Sequence, residues 1–138
     1  MKIPRVQADA IAAHARSGYP HEVCGVLVGP ARAGVVLVAR AVAVANRETE
    51  RPAVRYQIAP EDLIGVQRSV RAEGLDIVGY YHSHPDHPAQ ASRFDTERAW
   101  AGYVYLIVSI QEGKPVDANC FVADEDGGPF HPEPLVVD

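Results

Sequence analysis

Residues 76–95 read DIVGYYHSHPDHPAQASRFD, and the fold turns on how that stretch divides. Asp76 to His82 is rich in β-branched and aromatic residues and reads as a strand. If the strand continues to His84, His82 and His84 lie two residues apart and project from one face of a sheet. Pro85 cannot continue a central strand, so the chain is expected to leave the sheet there. Ser83 to Ala91 is a proline-punctuated loop, long enough to fold back. Ser92-Arg93-Phe94-Asp95 then has the spacing of a helix N-cap with an acid three residues on, opening a short helix from Ser92 to about Ala99.

The flanks supply the rest of an α/β pattern. Val6, Ala10, Ile11 and Ala13 fall at helical spacing within Val6 to Arg16, and Gly18 is a stop signal. After the polar turn Tyr19-Pro20-His21-Glu22, the apolar run Val23 to Val28 closes at Gly29-Pro30 as a buried strand does. Val35 to Val44 reads as one long or bent strand, Asn46 to Pro52 as a solvated loop, and Val54 to Ile58 as a further strand. Pro60 suits the first position of a helix, with Glu61 and Asp62 in its first turn, Leu63, Val66 and Val70 on one face, and Gly74 as its stop. Val104 to Ile110 and Val116 to Ala123 are two more strands, joined by a turn containing Gly113. A tail rich in Gly, Pro and acid runs from Glu125 and ends in Leu135-Val136-Val137. The expectation is one mixed α/β domain over residues 1–138, with its core at about 6–123 and a tail at 125–138. It holds about three helices and six or seven strands. The strands do not alternate strictly with helices, which argues against a doubly wound parallel sheet.

Composition narrows the function classes. With 138 residues, 47% hydrophobic and 22% charged, the chain is neither disordered nor fibrous. A chain of this size buries roughly two-thirds of its unfolded surface, so it needs no disulfide or structural metal. Its 13 Lys+Arg against 18 Asp+Glu leave a net charge of −5, which excludes nucleic acid as the expected partner. No run reaches the ~18 apolar residues of a membrane span. Met1 to Arg5 leads straight into a polar-apolar pattern, so no signal peptide is expected. Cys24 and Cys120 lie in apolar runs and read as buried thiols in a reducing cytoplasm.

Three of the six histidines fall within Tyr81 to Pro88. Two imidazoles on one strand face can share a metal ion, and Asp95 adds a carboxylate where the positive helix end favours one. Two neutral imidazoles and one carboxylate leave a tetrahedral Zn²⁺ one open position, the layout of a catalytic site. Ser92 could cap the helix or donate to a developing oxyanion, and the two roles can coexist. A general base must be a carboxylate held near the attacking water. Several acids qualify by type, and Glu22 is the best placed because it begins an apolar strand. His87 reads as a surface residue; His14, His21 and His131 lack partners at ligand spacing and read as solvent-facing. Cys24 is expected in packing rather than as a nucleophile, Trp100 and Tyr103 as core aromatics beneath the short helix, and Arg47 to Arg55 as a solvated face.

Taken together these residues resemble the JAMM or MPN-plus zinc metalloproteases. That family's pattern is a distant Glu, then His-x-His-Pro, six variable residues, Ser, two variable residues and Asp. Here it reads Glu22, His82-Ser83-His84-Pro85, Asp86 to Ala91, Ser92, Arg93-Phe94 and Asp95. His21 to Gly29 (HEVCGVLVG) looks like the family's first catalytic strand, while Tyr80-Tyr81 and Trp100-Ala101-Gly102-Tyr103 look like its short bacterial members. The resemblance covers Val6 to Val122. Ala91 departs from the Pro that many relatives carry there, and touches no ligand position.

The resemblance implies a JAB/MPN-like α/β fold, a mixed and largely antiparallel curved sheet flanked by about three helices. It implies zinc on His82, His84 and Asp95, Glu22 as general base, and Ser92 as a stabiliser of the tetrahedral intermediate. The implied activity is a cytoplasmic peptidase or isopeptidase acting on a small ubiquitin-like or sulfur-carrier protein. The bond cut follows the carrier's Gly-Gly and releases cysteine or a short extension. The compact intervals from Glu22 to His82 and from Asp95 onward leave little room for the insertions of deubiquitinating members. The alternatives are a deubiquitinase-like isopeptidase acting on lysine-linked conjugates and a non-catalytic MPN scaffold. Oligomeric state stays open, a dimer included.

Overall fold

The computed structural model describes residues 1–31 and 34–138. Along the chain run β1 (Lys2–Ile3), α1 (Arg5–Gly18), β2 (Cys24–Gly29), β3 (Arg40–Val44), α2 (Pro60–Arg71) and β4 (Asp76–Pro85). There follow α3 (Arg93–Glu97), β5 (Val104–Gln111), β6 (Lys114–Ala123), β7 (Phe130–Glu133) and β8 (Val136–Val137). Six strands form a curved sheet in the order β3-β2-β4-β5-β6-β7, and β1 pairs with β8 in a small second sheet. Within the large sheet only β4 and β5 are parallel. The architecture is therefore mixed α/β, with a largely antiparallel sheet and, among the described residues, three helices.

Strand alternation sorts the core into two layers, since successive side chains point to opposite faces. On one face Leu27, Tyr81, Leu106, Val108 and Ile110 pack against Ile11 and Ala15 of α1. On the other, Val26 and Val28 meet Leu63, Val66 and Val70 of α2, and Tyr105 meets Ala99 just beyond α3. Every residue of β2 is buried, as expected of a strand covered on both sides.

β4 continues to Pro85, which lies opposite Ile110 of β5. The chain thus keeps sheet register three residues beyond His82 before turning at Asp86, whose φ is 57°. Pro85 is tolerated because of where its missing donor would point. Ser83 N–H bonds toward β2, at the Val23 carbonyl, and Asp86 N–H bonds toward β5, at the Ile110 carbonyl. Pro85, two residues after Ser83, faces the β2 side, where that partner strand has already ended opposite His82.

Several expectations are corrected. Of Val35 to Val44 only Arg40–Val44 is strand, and Val35 and Leu37 are exposed. Val54 to Ile58 is not a strand. The Asn46 side chain takes the Gln57 N–H and the Arg55 carbonyl, groups that a sheet ladder would otherwise satisfy. The short helix ends at Glu97 rather than Ala99. Trp100 is 61% exposed instead of core, whereas Tyr103 does pack on Tyr80. The stretch read as a tail supplies β7, which pairs with β6, and β8, which pairs with β1. Cys24 and Cys120 are buried free thiols. Among the described residues no helix is long and apolar enough to cross a membrane.

Gly79 lies against β5 so closely that an added Cβ would overlap the Val104 carbonyl oxygen. Gly79→Ala is expected to cost about 1–3 kcal/mol through overpacking. Gly65→Ala, on α2 where a Cβ meets nothing within 4 Å, should instead stabilise by about 0.5–1 kcal/mol. Denaturant midpoints of the two variants check both signs.

Candidate active site

β4 carries His82 and His84 on the face toward α3, and α3 returns Asp95 to them. Ser92 Oγ accepts the Asp95 N–H at 3.0 Å, and Asp95 Oδ2 accepts the Ser92 N–H at 3.0 Å. This reciprocal cap fixes the carboxylate relative to the helix start. The same Oδ2 lies 3.2 Å from His82 Nε2 and 3.0 Å from His84 Nε2, while the two Nε2 atoms are 3.1 Å apart. All three side chains are buried.

Hydrogen bonds alone do not account for that triangle. If both imidazoles donate to Asp95, their two Nε2–H groups face each other at close range. A cation at the centre removes the conflict, because each corner then offers a lone pair. A tetrahedral zinc with bonds of roughly 2.0–2.2 Å holds its ligand atoms about 3.3 Å apart, close to the separations found. His84 Nδ1 lies 2.8 Å from the Pro88 carbonyl; donating there, it leaves Nε2 unprotonated toward the triangle. The donor set and its spacing fit a zinc ion, and His82, His84 and Asp95 are a group that could hold a metal.

Burial works against the charge on Asp95, but hydrogen bonds from His82 and His84, the charge of His82 and the Ser92 N–H outweigh it. Its carboxyl is held well below the usual carboxylate range. His82, fully enclosed, is shifted down by burial against the opposing pull of Asp95.

Glu22 stands just ahead of β2, 5% exposed, and its Oε1 has no hydrogen-bond partner. Burial pushes its carboxyl up to about 8, a rise that His84 opposes and the charge of Asp95 reinforces. Its backbone is gripped on several sides. Glu22 N–H donates to the Pro52 carbonyl at 2.7 Å, Asn46 Nδ2 donates to the Glu22 carbonyl at 3.0 Å, and Val23 N–H donates to Ser83 Oγ at 2.9 Å. Ser92 is exposed. Its oxygen is engaged as an acceptor in the cap, and its hydroxyl proton is still free to donate.

The structure thus brings Glu22, His82, His84, Ser92 and Asp95 to one place. His87 and His21 are exposed, and His131 is exposed in an ion pair with Asp124. His14 is not solvent-facing; it is half-buried, with Nδ1 2.8 Å from the Tyr81 hydroxyl. Burial raises the Cys24 thiol to about 12, so it is no nucleophile.

Two features beside the site carry no sequence signal. Tyr56 stacks on His82, ring centroids 4.5 Å apart. A cavity of about 610 Å³ opens next to Asp95, lined among others by Tyr56, Tyr80, Phe94, Trp100 and Tyr105. Arg55 and Arg98 each lie 4.6 Å from the Phe94 ring centre, so the expected solvated face at Arg47 to Arg55 ends at the cavity's rim.

Known structures share this fold. A protein from Desulfitobacterium hafniense superposes with a TM-score of 0.85 at 28% identity, over 100% of this chain and 93% of that one. A JAB1/MPN domain protein from Archaeoglobus fulgidus superposes with a TM-score of 0.62 at 19% identity, over 100% and 97%. A JAB/MPN-type sheet with a buried His-His-Asp group defines the class. Residues 4–122 match the model of the prokaryotic homologs of the JAB domain, and the chain belongs to that family. A desampylase of Haloferax volcanii is 43% identical over 106 residues, 73% of this chain and 74% of that protein. A CysO-cysteine peptidase of Mycobacterium tuberculosis is 34% identical over 105 residues, 75% of this chain and 69% of that protein.

The raised Glu22 carboxyl has a stability consequence in metal-free protein. Below the unfolded-state value of 4.5 both states hold the proton, and between there and about 8 the folded state alone holds it. Stability therefore falls as pH rises through that window and levels off above it. Metal-free Glu22→Gln is expected to escape this loss. Its advantage over wild type should grow from about pH 5 to pH 8, with an upper limit of about 5 kcal/mol. Urea unfolding of both proteins across that range measures the difference.

Proposed function

We propose that this protein is a zinc-dependent peptidase or isopeptidase. Its substrate is the C-terminal tail of a small ubiquitin-like or sulfur-carrier protein. It cuts the bond after Gly-Gly and releases cysteine or a short extension. The observation that carries the reading is the buried His82-His84-Asp95 triangle with the partnerless Glu22 carboxyl beside it. The desampylase and CysO-cysteine peptidase among its relatives support the substrate class. The whole chain, 1–138, acts as one catalytic domain, and the free thiols Cys24 and Cys120 fit a reducing cytoplasm.

His82, His84 and Asp95 hold the ion. A zinc ion there supplies Lewis acidity, makes water nucleophilic near neutral pH, polarises the scissile carbonyl and favours ionised Glu22. Glu22 takes a proton from the water as its oxygen adds to the carbonyl carbon, and delivers that proton to the nitrogen as the C–N bond breaks. Ser92 donates its hydroxyl proton to the oxyanion while its oxygen stays engaged in the cap. The aromatic cavity beside Asp95 receives the tail's apolar side chains.

The test is mass spectrometry of ubiquitin-like carriers extended after Gly-Gly by cysteine or a short peptide. Wild type is expected to trim them, and Glu22→Gln to keep zinc while losing turnover by about 10²-fold or more. Equal turnover in the variant would sink the role of Glu22. Cleavage of lysine-linked conjugates with the cysteine adduct untouched would favour the deubiquitinase-like alternative.

His84→Ala and Asp95→Ala are expected to lose zinc and activity together while staying folded, because the core packs without the ion. Chelator-induced unfolding of wild type would contradict that.

A further inference from the structure

A metal-binding histidine is ordinarily oriented by a hydrogen bond on its second ring nitrogen. His84 has one, at the Pro88 carbonyl. His82 has none; its Nδ1 is buried without a partner. What touches its ring is Tyr56, stacked at 4.5 Å with the planes 25° apart. No hydrogen bond of the Tyr56 hydroxyl appears among the described residues, so the ring face is what bears on His82.

Tyr56 belongs to the irregular segment 46–57, which has no strand or helix to fix its path. Beside a backbone bond from Arg47 N–H to the Gln57 carbonyl and a Glu48 carboxylate that accepts the Glu50 and Arg51 N–H groups, the Asn46 side chain ties it to the site. Asn46 Nδ2 donates to the Arg55 carbonyl at 3.1 Å and to the Glu22 carbonyl at 3.0 Å. Asn46 Oδ1 accepts the N–H groups of Glu48 and Gln57, both at 3.0 Å. The amide thereby uses both donors and both acceptors, and every partner agrees with this orientation and contradicts the flipped one. Arg55 and Gln57 flank Tyr56, so the amide fixes the backbone on either side of the stacked ring. Its other arm fixes the carbonyl of Glu22. The loop adds a second grip there, since the Pro52 carbonyl accepts the Glu22 N–H.

We propose that Asn46 and Tyr56 are positioning residues. Asn46 suspends the 46–57 loop so that the Tyr56 ring takes the place of the missing hydrogen bond on His82, and so that Glu22 is held in register with the same centre. The inference rests on the proposed zinc site for its functional consequence, but the geometry it names exists without metal.

Two measurements test it. In metal-free protein the His82 ring protons should show a ring-current shift from Tyr56 by NMR. Tyr56→Phe should keep that shift, and Tyr56→Leu and Asn46→Asp should both abolish it; the aspartate turns an oxygen toward two carbonyls. In zinc titrations against a competing chelator, Tyr56→Phe should bind within about threefold of wild type. Tyr56→Leu and Asn46→Asp should each bind about 10- to 100-fold more weakly, and Co²⁺-loaded samples should show altered d–d absorption. The double variant should be no worse than the poorer single one, because both remove the same support. A merely structural role would lower the melting temperature and leave zinc affinity and the Co²⁺ spectrum alone; that result overturns the proposal. So does a Tyr56→Phe variant as weak as Tyr56→Leu, or losses that add in the double variant. If wild type binds no zinc, the functional reading fails, and the NMR arm still decides the Asn46–Tyr56–His82 linkage.

Discussion

A one-residue slip of β4 against β5 would turn Tyr81 and Ser83 toward α3 and drive His82 and His84 under α1. The parallel pairing that prevents this runs without interruption from Gly79 opposite Val104 to Pro85 opposite Ile110. It is enforced from both faces. Tyr81 fills the α1 side next to Leu106 and Val108, its hydroxyl meeting His14 Nδ1, and the smaller imidazole in its place would leave space in that layer. Gly79 allows the close approach of β5 that sets the pairing at its start. The candidate site is thus a consequence of register. Once Tyr81 is in the core, His82 and His84 have no other direction to face.

The polar groups gathered there run against the logic of the rest of the fold. Elsewhere buried positions are apolar, or their polar atoms are satisfied. Among the described residues the two buried side-chain atoms left without a partner are Glu22 Oε1 and His82 Nδ1, both in the site. Such atoms cost about 1–3 kcal/mol each, and a chain selected for stability alone would shed them. Local inconsistency of this kind is what a binding or catalytic site looks like in an otherwise consistent sequence. Its cost is tolerable because the stabilising layers under α1 and α2 draw on other residues.

What was legible in the sequence follows the range of the interactions concerned. α2 announced itself through Pro60, its acidic first turn and its apolar stripe. β2 showed as a bounded apolar run. The spacing of the His-x-His strand and the Ser-x-x-Asp cap joined His82, His84, Ser92 and Asp95, the resemblance to the JAMM family added Glu22 on its HEVCGVLVG run, and the structure does gather them. Val54 to Ile58 misled because its β-branched pattern is real, while Asn46 satisfies its backbone from outside any ladder. β8 was hidden because its partner, β1, lies at the other end of the chain, and β7, though it pairs with the strand just before it, because its Gly/Pro-rich surroundings read as a tail. Trp100 looked like core by residue type alone; its exposure at the cavity rim is set by where α3 ends. His14 gained a partner only when α1 packed on Tyr81.

The site's supports are not equivalent. Asp95 is held by its own helix start, through a cap closed within three residues. His84 is held by a carbonyl four residues on, in a turn that begins where β4 ends. Both are local, and survive as long as their own segment does. Glu22 is held at once by β4, through Ser83, and by the irregular 46–57 loop. His82 meets Asp95 and His84 through Nε2, and its ring face is covered by Tyr56 of that loop. A loop without regular structure opens more readily than a paired strand. Asp95 and His84 thus take their supports from their own segments, whereas the ring face of His82, itself fixed on a paired strand, and the backbone of Glu22 take theirs from a segment without regular structure. The divide follows chemistry, since the two groups lacking a hydrogen-bond partner, on Glu22 and on His82, are the two that the loop attends.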